Sequence, residues 1–400
     1  MKKQYLLTVL LPLFVNAQSI DNIVTSALEK NSSLKALESS INITKKQIEL
    51  STKWDNPIVN IGATDIQFND YKTRNKEAMQ AQFVGLTQAI PLSDRLEFAK
   101  KVANNDYSIS KYNLENKKLE LQSNIYEYAY RIKLLQERIL LFEKFKKNVI
   151  DLESLLKNFY KYGKAKQSDI LNVQILYNEL NLKQKQLQTF LDTNFLKIEE
   201  LSYEKISNID VNTNIKSIVL SKEISNHPKI LSFKQTTNKF TNISKLENEK
   251  KIPDIKLNVT YFERSQEYED YMNFSISFPL PIYGRESIKE TKAKFQSQEV
   301  KNQLDDLKNK FLISIDTLQK NIDNAIDTYN IIEKTIIPKY DELQKILEKN
   351  NSYLLKTNID TRQLIKNQNE VIKYKLKAID EKEKYFSSLA KSYYFTRITK

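Results

Sequence analysis

From Ile255 to Tyr261 the chain alternates, with Ile255, Leu257, Val259 and Tyr261 on one face and Lys256, Asn258 and Thr260 on the other. That is the period of a strand lying between an apolar and a wet surface. A second arm repeats it, Phe274, Ile276, Phe278 and Leu280 interleaving with Asn273, Ser275 and Ser277, and the polar link Glu263 to Asp270 makes the arms a hairpin. Most of the remaining chain is helical in period. In 95–158, Leu121, Ile125, Tyr128, Ile132, Leu135, Ile139 and Phe142 step by four and three, a heptad seam. Tyr130, Leu134 and Leu141 lie off that seam and predict neighbours on two sides. In 286–349 the seam is Val300, Leu304, Leu307, Phe311, Ile315, Leu318, Ile322, Ala325 and Tyr329. Its extra step of four relaxes left-handed supercoiling, and Pro338 predicts a bend near Ile337.

The joints follow from turn chemistry. Gly163 suits the left-handed position after a helix, and Ser168 or Asp169 the cap of the next, which runs to about Leu201. Helices are also predicted over 229–250 and 359–391, with a helical hairpin or two short helices over 20–53. The stretch 202–226 reads as irregular, and Asn350 to Asn358 as a polar turn.

The chain contains itself twice. Trp54-Asp55-Asn56-Pro57 followed by Val59, Ile61 and Ala63 matches Lys250-Lys251-Ile252-Pro253 followed by Ile255, Leu257 and Val259, 196 positions on. Asn31 to Leu34 matches His227 to Ile230 at the same offset. Ala89 to Arg95 matches Pro279 to Arg285 at 190, and Asp169 to Gln174 matches Gln363 to Gln368 at 194. The expected organisation is a segment 1–17, a first helix, hairpin and helix repeat over 18–208, and a second over 209–400, intertwined as one structural domain. A period this long is not a solenoid's.

Magnitudes turn the pattern into an architecture. A helix of about 64 residues rises about 96 Å, far beyond a globular core. Two hairpins supply four strands, whereas even side-chain-filled barrels need about eight. Open edges cannot sit in lipid, so copies must pool strands, and three would supply about 12. The fold class is mainly α with membrane β.

Lys2 and Lys3, the apolar run Tyr5 to Val15 and Val15-Asn16-Ala17 predict a cleaved export signal ending before Gln18. A membrane anchor is the alternative, but a run of about 11 residues is short of the roughly 20 that span. Export suits a Gram-negative periplasm and outer membrane. The 400 residues include only 4 Gly and 8 Pro, which agrees with long helices. A net charge of +13 would suit nucleic acid, yet the lysines are interspersed with glutamates along helices, so no nucleic-acid partner is expected. With one His, His227 before Pro228, and no Cys, neither a catalytic nor a metal constellation is legible, and no cofactor is expected.

The doubled plan resembles the TolC family of outer-membrane efflux and secretion channels over essentially all of the mature chain. The matching residues are the hairpin exits Gln88-Ala89-Ile90-Pro91-Leu92 and Ser277-Phe278-Pro279-Leu280-Pro281 with Arg95 and Arg285, the turn Tyr160-Lys161-Tyr162-Gly163, and Asp169-Ile170-Leu171 with Gln174. The resemblance implies a homotrimer with a 12-stranded β-barrel and a 12-helix α-barrel. It implies docking onto a periplasmic adaptor (membrane fusion) protein and an inner-membrane pump of resistance-nodulation-division type. Compact length and the exit 88–92 are most similar to the heavy-metal efflux branch. The barrel lumen would be lined by Asn60, Thr64, Lys256, Asn258, Thr260, Ser275 and Ser277, with the apolar face against outer-membrane lipid. Gly163, Lys164, Ala165 and Lys166, with Thr357, Asn358 and Ile359, would form the adaptor-docking tips, although the second turn lacks the glycine. Asp360 is the candidate for a charged ring at the pore mouth. A type I protein-secretion channel stays open as an alternative, as does a periplasmic coiled-coil scaffold that never forms a pore, and a soluble sandwich would reverse the sheet faces.

Overall fold

The computed structural model describes residues 18–353 and 361–395. The export signal over 1–17, and Thr357, Asn358, Ile359 and Asp360 of the second turn, lie outside the described residues. The chain forms two compact units, and each draws on both sequence repeats: one from 1–35, 117–224 and 310–400, the other from 36–116 and 225–309.

The first unit is helical. A two-residue strand β1 (Gln18–Ser19) leads into α1 (Ile20–Lys30), whose N-cap is Ser19, its hydroxyl accepting from the Asn22 N–H at 3.3 Å. Asn31 breaks the helix, and α2 (Ser32–Leu50) follows. The long helix α3 (Arg95–Lys161) turns into α4 (Gln167–Ser202), and β4 (Ile209–Asp210) pairs in parallel with β1. The stretch 202–226 thus contains one short strand, and it buries Ile206, Ile209, Val211 and Ile224 despite its polar reading.

Along α3 the expected seam is buried, with Tyr128 half-buried, and Tyr130 and Leu134 are buried off it. Two rows of contacts explain this. Tyr126 meets Tyr393 at 4.8 Å and Tyr130 meets Phe386 at 4.5 Å, both on α8 (Thr361–Phe395). Farther along, Phe142, Phe145, Val149, Leu152 and Leu156 pack with Val173 and Leu180 of α4. Burial pushes the Tyr130 hydroxyl well above its ordinary range, so it stays protonated in the core.

The helix expected over 286–349 is three pieces. α6 (Arg285–Ile331) passes through a π-helical turn, Ile332–Ile336, into α7 (Ile337–Tyr353). Pro338 has no N–H, and its ring excludes the regular turn before it; the chain responds with a wider turn in which the Ile337 N–H reaches the Ile332 carbonyl. Where a polar turn was expected from Asn350, α7 continues to Tyr353; the rest of that turn lies outside the described residues.

The second unit holds the sheet. Strands β2 (Ile58–Thr64), β3 (Ala81–Ile90), β5 (Ile255–Arg264) and β6 (Tyr271–Ser277) lie side by side in the order β2-β3-β5-β6, every neighbour antiparallel. The two hairpins are therefore one continuous wall, joined by β3 against β5. α5 (Pro228–Glu249) precedes β5, with His227 as N-cap: its Nδ1 accepts from the Lys229 N–H at 3.1 Å. That histidine is a buried cap, as its place before Pro228 suggested.

Candidate functional site

In an antiparallel pair, directly opposed residues share a face. The register sets Asn60 opposite Gly85, Gly85 opposite Thr260 and Thr260 opposite Asn273; the next line is Ile58, Thr87, Asn258 and Ser275, and the next Ala89, Lys256 and Ser277. Thr64, Ala81 and Arg264 form a line on the other side. All seven wall residues named from sequence, Asn60, Thr64, Lys256, Asn258, Thr260, Ser275 and Ser277, fall on this one face. Sequence reading missed the residue at its centre. Thr87 accepts from Asn60 Nδ2 at 2.9 Å and from Asn258 Nδ2 at 2.7 Å, and Thr260 donates to Asn258 Oδ1 at 2.8 Å. Its signal is weak because Gln82 and Gln88 stand on the opposite face and Ile58 on this one, which blurs the alternation.

The other face is apolar and open. Ile61 is 79% exposed, Phe274 71% and Ile276 65%, joined by Val59, Val84, Leu86 and Met272. Thr260, on the polar face, is 8% exposed. A water-soluble sheet has this the other way round. Among the described residues, outer strands β2 and β6 leave their far edges unpaired. Gly85 sits where the polar face is tight, since a Cβ there would stand 2.6 Å from Thr260 Oγ1.

At the helical end of the wall, the Arg95 guanidinium grips Asp254 through Nε at 2.8 Å and Nη2 at 2.7 Å, with Asp55 at 3.9 Å. A first-repeat residue thereby holds the strand entry of the second. This corner opens into a cavity of about 470 Å³ lined by Lys250, Pro253, Pro281 and Tyr283 among others. Beside it Glu290 accepts from Lys251 at 2.6 Å and from Lys294, and those two ammonium groups lower its carboxyl to about 2.

The first turn is built at the ends of α3 and α4. Gly163 has φ +70°, the Gly163 N–H donates to the Tyr160 carbonyl at 3.0 Å, and the Lys164 N–H to that of Phe159 at 2.9 Å, a Schellman closure. Gly163, Lys164 and Lys166 are exposed, while Ala165 packs onto the Phe142 cluster and anchors the turn. The cap differs from expectation. Lys166 occupies the N-cap and Asp169 the third helical position, where its carboxylate accepts from the Lys166 N–H at 3.1 Å. Tyr162, part of the turn that carries the resemblance but not among the predicted docking residues, is 79% exposed and is the most prominent apolar surface of the turn.

Among the described residues no helix is long and apolar enough to cross a membrane, and no group of three or more His, Cys, Asp or Glu could hold a metal ion. The sheet thus has one exposed apolar face and one hydrogen-bonded polar face, and long helices follow both of its hairpins. Residues 23–201 match the model of a family described as outer membrane efflux protein. The fold is shared with a membrane protein from Pseudomonas aeruginosa, at TM-score 0.79 and 13% identity over 94% of this chain and 91% of that one. It is shared with the Campylobacter jejuni CmeC outer membrane channel, at TM-score 0.73 and 12% identity over 95% and 87%. The open-state MtrE outer membrane channel of Neisseria gonorrhoeae follows at TM-score 0.68 and 13% identity over 94% and 88%. No curated protein matches the chain. The fold is TolC-like, shared with outer membrane channels of known structure.

Proposed function

We propose that this chain is the outer-membrane channel of a tripartite efflux system, a homotrimer that passively conducts cargo from a periplasmic adaptor and an inner-membrane pump of the resistance-nodulation-division type to the exterior. The observation that carries the reading is the inverted sheet. Its exposed apolar face would be a liability in water and is satisfied by lipid, while its hydrogen-bonded polar face suits a wet lumen. The unpaired edges support the oligomer. β6 of one copy continues antiparallel onto β2 of the next, and three copies close a wall without an edge. Asn60, Thr64, Lys256, Asn258, Thr260, Ser275 and Ser277 then line the lumen. Gly163 to Lys166 with Thr357, Asn358 and Ile359 meet the adaptor, and Asp360 rings the periplasmic mouth. The cargo class we assign is heavy-metal cations, on the resemblance of the exit 88–92 and the compact length to that branch.

The docking turn is tested in the otherwise thiol-free chain. Lys164→Cys carrying a photo-crosslinker is illuminated in intact cells, and the captured protein is identified by mass spectrometry. Capture of an adaptor serving a proton-driven pump supports the proposal. Capture of an ATP-driven exporter's adaptor transfers the chain to protein secretion. A protein recovered from the periplasm without detergent, with nothing captured, overturns the channel in favour of a scaffold.

A further inference from the structure

The polar face of the sheet carries one sign of charge. Its cross-strand lines through Asn60, Thr87 and Thr260 are neutral, and its charged side chains are Lys256, opposite Ala89 and Ser277, and Arg264, opposite Ala81. Among the described residues of these four strands no carboxylate stands on that face; Glu263, opposite Gln82, belongs to the other. An aromatic row adds no negative potential. Phe83 on β3, Phe262 on β5 and Tyr271 on β6 oppose one another in register. Phe262 and Tyr271 stack at 4.7 Å with planes 6° apart, and the Arg264 guanidinium carbon lies 5.2 Å from the Tyr271 centroid. The ring faces are spent on each other and on that guanidinium, which leaves the positive ring edges to the open side.

The two cations are not equivalent. Arg264 donates through Nε to the Glu269 carbonyl at 2.6 Å and through Nη1 to the Ala78 carbonyl at 3.2 Å, and Asp270 accepts from its backbone N–H at 2.8 Å. Its charge is thereby fixed in the hairpin links beside a carboxylate. Lys256 is exposed, and its ammonium has no ion-pair partner among the described residues. In the corner cavity that it lines, the carboxylates Asp55, Asp254 and Glu286 are equalled in number by Arg95, Lys250 and Arg285, with Arg95 on Asp254 at 2.7 Å. Lys256 is the excess charge.

We infer that Lys256 is a charge-selecting residue of the pore. One lysine from each of three copies makes a cationic ring at the helical end of the barrel lumen, and the ring admits anions faster than cations of the same size. The inference rests on the channel reading, because ring closure through β6 and β2 is what brings the lysines to one level. It also refines the cargo: a bare metal cation meets like charge here, whereas the same metal in an anionic complex is drawn through. Water in the lumen screens the ring over about 10 Å at 0.1 M salt and about 3 Å at 1 M, so the preference is a few-fold and salt-dependent.

The test reads the lumen potential with single cysteines in the full chain, reconstituted in uncharged phosphatidylcholine vesicles. Ser275→Cys, one cross-strand line beyond Lys256, is labelled with thiol reagents of matched size, one a sulfonate and one a quaternary ammonium, each rate being divided by that on a small free thiol. In 0.1 M salt the sulfonate is expected to be about threefold the faster, and the difference shrinks in 1 M. Lys256→Gln brings the normalised ratio close to one, and Lys256→Glu inverts it. A ratio of one or below with Lys256 in place, or a ratio that both substitutions leave unchanged, overturns the ring. Phe274→Cys, on the apolar face, separates that failure from failure of the channel reading: rapid labelling there by both charged reagents overturns the channel itself.

Discussion

Two glycines illustrate how the same residue is required for different reasons. Gly163 has open space where a Cβ would go but sits at φ +70°, so Gly163→Ala costs about 1 kcal/mol of backbone strain, read as faster amide exchange at Lys164. Gly85 lacks that dihedral constraint and is limited by space alone, because its Cβ would strike Thr260 Oγ1. Gly85→Ala is expected to break the Thr260 to Asn258 hydrogen bond and lower the melting temperature, with Thr260→Ser restoring part of the loss. Glu290 sets an acid limit at the helical end of the wall. Its folded carboxyl is lowered from the ordinary 4.5 to about 2, so its contribution is fully present above about pH 4.5 and is lost as pH falls towards 2. A pH series of melting temperatures should show that loss flattened in Glu290→Gln. Arg95→Ala removes a two-point grip on Asp254 in a partly exposed corner. It should cost about 1 kcal/mol, with Arg95→Lys recovering less than half because an ammonium cannot make both contacts in plane.

At the scale of elements, the long helices were legible because a heptad seam sustained over tens of residues leaves no competing reading. Leu121, Ile125, Ile132 and Phe142 are buried where the seam puts them. What the period could not express is local hydrogen bonding. Pro338 announced an irregularity, but whether the chain kinks or widens into a π turn depends on which carbonyl each N–H can still reach. Likewise, Ser168 and Asp169 both have capping side chains, yet the Schellman closure at Gly163 fixes where the chain re-enters a helix and makes Asp169 the acceptor for the Lys166 N–H. Asp169→Ala should therefore cost about 0.5–1 kcal/mol, measured as increased exchange in the first turn of α4. The hairpins were legible through Lys256 to Tyr261 and Phe274 to Ser277, where alternation is clean. They were not legible at Thr87 or in the aromatic row, because cross-strand neighbours are set by register and register lies in no single strand.

For the whole molecule, the internal repeat makes the single sheet intelligible. Each repeat contributes one hairpin, β3 and β5 join them, and Arg95 of the first repeat holds Asp254 of the second, so neither repeat completes the wall alone. Even together they leave two open edges among the described residues, and α3, at about 100 Å for 67 residues, is too long to be packed within a domain of ordinary size. The central claim is that the apolar face meets lipid and the polar face meets water. Its most direct test is a pair of nitroxide labels on adjacent residues of β6, placed at Phe274→Cys and Ser275→Cys in separate lipid-reconstituted preparations. Collision with oxygen should dominate at position 274 and collision with a water-soluble nickel complex at position 275. Nickel access at both positions, or the reverse pattern, would contradict the account.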